Sequence, residues 1–304
     1  MKRILVLTRF RGEYEPTRIK KEAIAKGWEV DLVNYEQIRI GVSDLGKPVI
    51  DLGTGKNIEE YDLVIPRAAS ARGKKSMLGV KTVVLEYLRE LKNKGPRVLN
   101  GESFGEFSMM GKLEQGVLLS QAGLPVIPFS SFNGKKGWKQ YLDSEHKLPV
   151  MVKMRFGSHG KNVKLAESEE KLMRLSEKYS EGTVLIQPVV KVRRWYRVIF
   201  LGGKILGLMK HRQKGKFQTE DQKEELNNVK PRFTEEQMRS LEELCIKASN
   251  IFRCDYAGLD VAWDEDKKEW VIFEINRTAQ FKWFEKAHPE INVASKILDW
   301  ENRT

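Results

Sequence analysis

The residues best suited to chemistry lie in one stretch, 255–277, which reads DYAGLDVAWDEDKKEWVIFEINR. Two runs rich in Val, Ile, Leu and aromatics flank the wholly charged segment 264–268, the pattern of a β-hairpin. Alternation along a strand sends Glu274 and Asn276 to one face and Val271, Phe273 and Ile275 to the other. With Lys267 at the centre of the turn, Asp260 falls opposite Glu274, their Cβ atoms roughly 4.5–5.5 Å apart. Like charges that close repel unless a cation or water compensates them. Two carboxylates and an amide oxygen suit a hard divalent cation such as Mg²⁺, which keeps several waters and binds phosphates. A hairpin end with solvated acids is the other reading. Ile272 and Trp270, which strict alternation places on the face of Glu274, speak against full solvation. A slip of one residue in register would carry Asp260 to the opposite face.

A second group lies in VMVKMRFGSHGKNVKLA, which reads as a strand, a glycine-bearing turn and a strand. Lys153 and Arg155 share a strand face, and Gly157 and Gly160 follow. Glycines let backbone N–H groups approach an anion closely, and a lysine supplies a point charge. Gly-Lys-Ser/Thr before a helix is missing, so this is no Walker loop. A surface hairpin with a glycine turn fits the same residues equally well, with His159 a turn residue. Further on, VRRWYRVIFLGGKILGLMKHR forms two strands around Gly202-Gly203, carrying Arg197 and Arg212. The four histidines are scattered, which disfavours a zinc site, and no Ser-His-Asp or Cys-His set is evident.

The elements that must position these groups follow a regular order. A short strand over residues 4–7, a helix ending at Gly27 and the strand WEVDLVNY open the chain and predict a parallel sheet. A glycine-rich stretch, 41–56, is loop or short hairpin, and residues 62–65 form a third strand ended by Pro66-Arg67. Val80, Val83, Val84, Tyr87, Leu88 and Leu91 recur at helical spacing until Gly95-Pro96. A helix over 107–121 carries Lys112, and Pro125 and Pro128 bracket an extended link. Residues 183–186 form a buried-type strand running into Gln187, Pro188, Val189 and Val190, where the proline marks an edge or a crossover. The polar, aperiodic segment 214–230 reads as a loop. Thr234 opens a helix with a Thr-x-x-Gln capping box, and 289–300 is a closing helix.

With 304 residues, 40% apolar and 32% charged, the chain suits a globular protein of two domains or one elaborate one. The formal charge of +12 attracts anions: nucleotides, acidic polypeptide or nucleic acid. Cys245 and Cys254 make no disulfide framework, so a reducing cytoplasm is the expected setting. The opening MKRILVLTRF reads as a strand rather than a signal peptide, and no run reaches the length of a membrane span.

Taken together, the basic strand with its glycine turn, the hinge-like strand end and the carboxylate hairpin resemble, in this order, the ATP-grasp enzymes. The resemblance is strongest to their RimK-like branch, the α-L-glutamate ligases. It is carried by MKRILVLTRF, YDLVIPR, GKLEQGVLLSQAGLPV, VMVKMRFGSHGKNV, VLIQPVV, YRVIFLGGKILG, and AGLDVAW with VIFEINR. It implies an α/β fold with an α+β C-terminal part: an N-terminal parallel domain (1–100), a central subdomain with the glycine loop (101–190) and a C-terminal subdomain with the metal site (191–304).

The resemblance also implies Mg²⁺, with Mn²⁺ as an alternative, on Asp260, Glu274 and Asn276, and ATP on Lys112, Lys153, Gly157, Gly160 and the hinge Gln187, Pro188, Val189 and Val190. Arg197 and Arg212 take places facing the transferred phosphate. The activity implied is carboxylate–amine ligation through an acyl phosphate, adding a glutamate-like amino acid to a peptide or protein terminus; homo-oligomerisation stays open. A ligase for a small metabolite or coenzyme is the nearer alternative. A non-catalytic nucleic-acid binder is the farther one, disfavoured by the acids in the hairpin. The sequence departs from the family pattern at Trp195, where glutamate ligases carry an aspartate, and in RTAQFKWFE and KFQTEDQKE. These positions bear on amino-acid specificity rather than on ATP chemistry. Arg67, just past the third strand, reads either as a contact for an acidic substrate or as a loop arginine.

Overall fold

The computed structural model describes residues 1–69, 77–108, 110–144, 146–155, 163–190, 195–211 and 233–300. Strands β1 (Arg3–Thr8) and β2 (Glu29–Asn34), joined by α1 (Tyr14–Ala25), pair in parallel as their strand–helix–strand order requires. The hairpin β3 (Arg39–Val42) and β4 (Pro48–Asp51) follows, then β5 (Leu63–Pro66), α2 (Leu78–Leu91) and β6 (Arg97–Val98). The sheet order β2-β1-β5-β6 puts β1 and β5 side by side at its centre. Their carboxyl ends flank the point where strand order reverses, the place where open parallel sheets bind ligands.

Helices α3 (Gly101–Glu106) and α4 (Lys112–Gln121) lead to a second sheet. This sheet is antiparallel, ordered β7-β10-β8-β9, with β7 (Ser130–Asn133), β8 (Val150–Met154), β9 (Val163–Ala166) and β10 (Thr183–Pro188). One face packs on α5 (Gly134–Leu142) and α6 (Glu169–Lys178) through Trp138, Val152, Leu172 and Ile186. Alternation therefore turns Met151, Lys153, Leu185 and Gln187 to the opposite face. Pro188 ends β10 beyond the last residue paired with β7, where no ladder donor is needed on that side.

The third sheet, β12-β11-β13-β14, is built from β11 (Trp195–Leu201), β12 (Lys204–His211), β13 (Tyr256–Asp264) and β14 (Glu269–Asn276). Helix α7 (Glu235–Ile251), capped as expected by Thr234 and Gln237, lies on one face with α4, over Val198, Leu259, Val261 and Ile275. The other face shares a core with the first sheet: Ile199, Leu201 and Tyr256 pack with Ile4, Val6 and Ile65, closed by α8 (Lys282–Ala287) and α9 (Val293–Trp300).

Three local expectations are corrected. The helix expected over 107–121 starts at Lys112, because Gly111 takes an extended conformation and caps it. The closing helix expected over 289–300 begins only at Val293, and α8 precedes it. A β-bulge at Phe273 breaks strict alternation in β14: Asp260 pairs with Glu274, but Val261 pairs with Ile272. Trp270 and Ile272 thus join Ile275 in the core on the face away from Glu274.

Asn100 fastens the first sheet to the third. It sits at φ 60°, a left-handed conformation that asparagine tolerates. Its side chain accepts from the N–H groups of Asp255 (2.7 Å) and Tyr256 (2.9 Å) and donates to the carbonyls of Tyr256 (2.7 Å) and Arg277 (2.8 Å). Asn100→Ala orphans these buried groups and is expected to lower stability by roughly 3 kcal/mol, measured by urea unfolding.

Candidate functional site

The carboxylate pair stands as the hairpin pattern predicts. Asp260 and Glu274 are direct neighbours on β13 and β14, and Asn276 lies one pair further along, opposite Gly258. The bulge at Phe273 sets this register: without it, the four-residue turn after Asp264 would place a different residue opposite Asp260. Asp260 is buried and faces Arg197 on β11, its pairing partner, in a two-point ion pair (Nε with Oδ1; Nη2 to Oδ2 at 3.0 Å). Lys112 Nζ lies 3.3 Å from Glu274 Oε1. Each acid thus meets a cation from a different element.

Lys112 is placed by contacts that the sequence did not announce. Gln115, one turn into α4, is buried against the open edge of β14. Its amide donates to the Ile275 carbonyl (3.0 Å) and accepts from the Ile275 N–H (2.9 Å), completing the ladder as a further strand would. The Lys112 N–H donates to the Arg155 carbonyl (3.2 Å), and Arg155, just past β8, pairs with Glu114. Gly116 admits the Phe129 ring so closely that a Cβ there would lie 2.3 Å from it. A Gln or Gly inside an amphipathic helix carries no signal until its neighbour is known, which is why these residues escaped sequence reasoning.

Across the cleft, the second sheet presents Lys153 and Gln187. Lys112, Gln115, Phe129, Lys153, Gln187 and Phe273 line one narrow space of about 20 Å³. A purine is much larger, so a nucleotide binding there would require the second and third sheets to part. A wider cavity of about 480 Å³ along β2 contains none of the sequence-selected residues. Among the described residues, Gln187 Oε1 is buried without a hydrogen-bond partner, an acceptor suited to an incoming N–H donor. Burial first, and then nearby Lys112, bring the Lys153 ammonium down to about 8, against the opposing pull of Glu274. A phosphate would reverse that trend.

The structure therefore brings together Lys112, Lys153, Gln187, Arg197, Asp260, Glu274 and Asn276, with Pro188, Val189 and Val190 continuing from Gln187. Gly157, Gly160, His159, Arg212 and the segment 214–230 lie outside the described residues. The oxygen set of Asp260, Glu274 and Asn276 on one sheet face fits a hard divalent ion, and the cations beside it fit phosphates. Among the described residues, no three His, Cys, Asp or Glu side chains form a group that could hold a metal ion. No helix among the described residues is long and apolar enough to cross a membrane.

Solved structures with this architecture include the ATP-grasp ligase PsnB complexed with a minimal precursor (TM-score 0.71, 16% identity, covering 99% of this chain and 98% of that one). The macrocyclase MdnC bound with the precursor peptide MdnA from Microcystis aeruginosa MRC is similar (TM-score 0.70, 15% identity, 99% and 100% covered). The fold is the ATP-grasp fold. By sequence, residues 1–87 match the RimK PreATP-grasp domain and residues 111–301 the RimK-like ATP-grasp domain. The chain belongs to the RimK-like ATP-grasp family of ligases. A probable alpha-L-glutamate ligase of Aliivibrio fischeri (strain MJ11) is 25% identical over 308 residues, covering 99% of this chain and 96% of that protein. One of Legionella pneumophila (strain Corby) is 25% identical over 295 residues, covering 94% and 91%.

The depressed Lys153 has a measurable sign. Its ordinary value is 10.5 and its folded value about 8, so between these the unfolded chain binds the additional proton and stability rises with pH. Below pH 8 both states are protonated and the burial penalty is fully present. Relative to Lys153→Met, the native protein is expected to gain roughly 2 kcal/mol of unfolding free energy from pH 8 to pH 10. A pH-independent difference in urea unfolding would refute the assignment.

Proposed function

We propose that this protein is an ATP-dependent carboxylate–amine ligase, releasing ADP and joining an amino acid, glutamate or a close analogue, to the carboxylate of a peptide or protein. The observation that carries this reading is the facing arrangement of Lys153 and Gln187 on one sheet against Arg197, Asp260, Glu274 and Asn276 on the other, with Lys112 between them. The names of the relatives support glutamate as the amine. Solved neighbours held with precursor peptides support a polypeptide acceptor, and one of these, PsnB, was solved with minimal precursor, Mg and ADP (TM-score 0.68, 16% identity, 98% of this chain and 97% of that one).

A free carboxylate is a poor acyl donor, and phosphorylation turns it into an acyl phosphate that an amine can attack. Such a transfer needs alignment and charge neutralisation more than a protein nucleophile. Asp260, Glu274 and Asn276 would hold Mg²⁺, which when bound neutralises charge on the terminal phosphates. Lys112 and Lys153 neutralise phosphate oxygens from opposite sides of the cleft. Gln187 offers its orphaned oxygen to the base, with Pro188, Val189 and Val190 continuing the hinge. Arg197, held in orientation by Asp260, presents its guanidinium toward the transferring group. Gly157, Gly160 and Arg212 keep the roles that the family resemblance implies for them.

Glu274→Gln removes one ligand charge and the partner of Lys112. It is expected to lower amine- and acceptor-dependent ADP release at least 100-fold while leaving the circular dichroism spectrum unchanged. Candidate acceptors incubated with ATP, Mg²⁺ and each amino acid, then weighed by mass spectrometry, test the reading directly. Full turnover by Glu274→Gln would overturn the ion assignment. ATP consumption that never depends on an added amine would overturn the ligase.

A further inference from the structure

Cations on the described face of the third sheet fall into two kinds. Arg197 and Lys112 each meet a carboxylate, as above. Arg67, Lys81 and Arg277 do not: among the described residues, they donate to backbone carbonyls, and Arg67 donates also to the Tyr256 hydroxyl, a neutral partner. Arg67 Nη2 reaches Thr278 O (3.1 Å) and Ala279 O (2.7 Å), Lys81 Nζ reaches Arg67 O (3.1 Å), and Arg277 Nη1 reaches Ser103 O (2.6 Å). Arg67 is 4% exposed and Lys81 6%. Lys81 Nζ and the Arg277 guanidinium share one ring, lying 3.8 Å and 4.5 Å from the centre of Phe104.

Three cations gathered in a largely buried place with no ion pair to an acid among the described residues is an unstable arrangement. Burial, then Arg277, then Arg67 hold the Lys81 ammonium well below its ordinary value, and no carboxylate among the described residues opposes them. A bound anion would relieve all three. The backbone supports the same ligand. Arg67 stands at the carboxyl end of β5, at the reversal of strand order in the parallel sheet. Lys81 lies in the first turn of α2, a helix of 14 residues that starts with no acidic side chain in that turn and no side-chain cap. Arg277 follows Asn276 directly. Ala279, whose carbonyl Arg67 holds, packs so near Gly258 that a Cβ on that glycine would lie 2.5 Å from it and 3.0 Å from Arg197 Cδ. The cluster is thus contiguous with the site around Asp260, and Arg277 is its partly exposed member.

We propose that Arg67, Lys81 and Arg277 form a carboxylate-binding pocket for an acidic peptide acceptor, holding its anionic group beside the ion and phosphate site. This rests on the ligase reading for its biological meaning, but binding can be measured without turnover. With ADP and Mg²⁺ saturating the nucleotide site, calorimetry would follow tetraglutamate and its neutral counterpart, tetraglutamine. Tetraglutamate is expected to bind the native protein at least 10-fold more tightly than tetraglutamine. Lys81→Met, a replacement of similar length beside an aromatic ring, is expected to weaken tetraglutamate at least 10-fold, leave ADP affinity within 2-fold, and leave the melting temperature unchanged or raised, since it removes an uncompensated buried charge. Arg277→Met serves as a second variant with the same expected loss. Equal binding of the two peptides, unchanged tetraglutamate affinity in both variants, or a lowered melting temperature for Lys81→Met with binding intact would overturn the pocket and make the cluster a structural brace. Failure of ADP to bind, with tetraglutamate still lost in the variants, would instead overturn the ligase reading and leave the pocket standing.

Discussion

Everything in the candidate site depends on two acids held side by side on adjacent strands. Asp260 and Glu274 repel one another, and the fold answers with one cation each: Arg197 from the next strand and Lys112 from the start of a helix. Removing one member of such a pair is more damaging than never having built it, because the survivor is left partly buried and uncompensated. The pairs also make the site responsive. An ion arriving at the acids would loosen their hold on Arg197 and Lys112, whose charges are then free to meet phosphate oxygens. Metal and nucleotide binding are therefore expected to reinforce each other through the same four side chains.

The scaffold keeps those side chains in register by satisfying strand edges. Sheet edges with unpaired N–H and C=O groups invite slippage, and β14 is an edge. Gln115 completes the ladder at Ile275, and the Pro125 carbonyl accepts from the Ile272 N–H at 2.9 Å. Between these two fixings sits the bulge at Phe273. It allows Trp270, Ile272 and Ile275 all to enter the core while Glu274 stays on the charged face. A regular strand could not do both, since strict alternation would have put Ile272 beside Glu274.

Much of this was legible in the sequence, for identifiable reasons. Period-2 alternation around a charged turn is a local signal, so the hairpin could be read directly; the pairing of Asp260 with Glu274 followed from taking Lys267 as the centre of the turn, and in the structure it is the bulge that delivers it. The strand–helix–strand opening has a single common outcome, a parallel sheet, and it is found. The bulge was invisible because one additional residue changes no composition and no spacing in the chain itself. The late start of α4 was missed because Phe107 and Met110 continue an apolar pattern, while the extended Gly111 that ends it is decided by tertiary contacts. Gln115 and Lys81 were missed for a related reason. Each lies on a helix where polar residues are normally solvent-facing, and only the fold shows that each is buried against a strand end or a ring.

The contrast between paired and unpaired cations carries the reading furthest. A net charge of +12 is by itself a statement about the whole surface, and most exposed lysines and arginines contribute little to structure or recognition. Burial changes that. Arg197 and Lys112 are compensated by acids that would lose their claim on them when an ion binds, which suits ligands arriving together. Among the described residues, Arg67, Lys81 and Arg277 meet neutral partners, carbonyl dipoles and for Arg67 the Tyr256 hydroxyl, which orient a cation without neutralising it, so their compensation has to come from outside the described fold. Two kinds of cation on one continuous face would thus suit two kinds of anion: phosphates whose arrival is coupled to a metal, and a carboxylate that needs none.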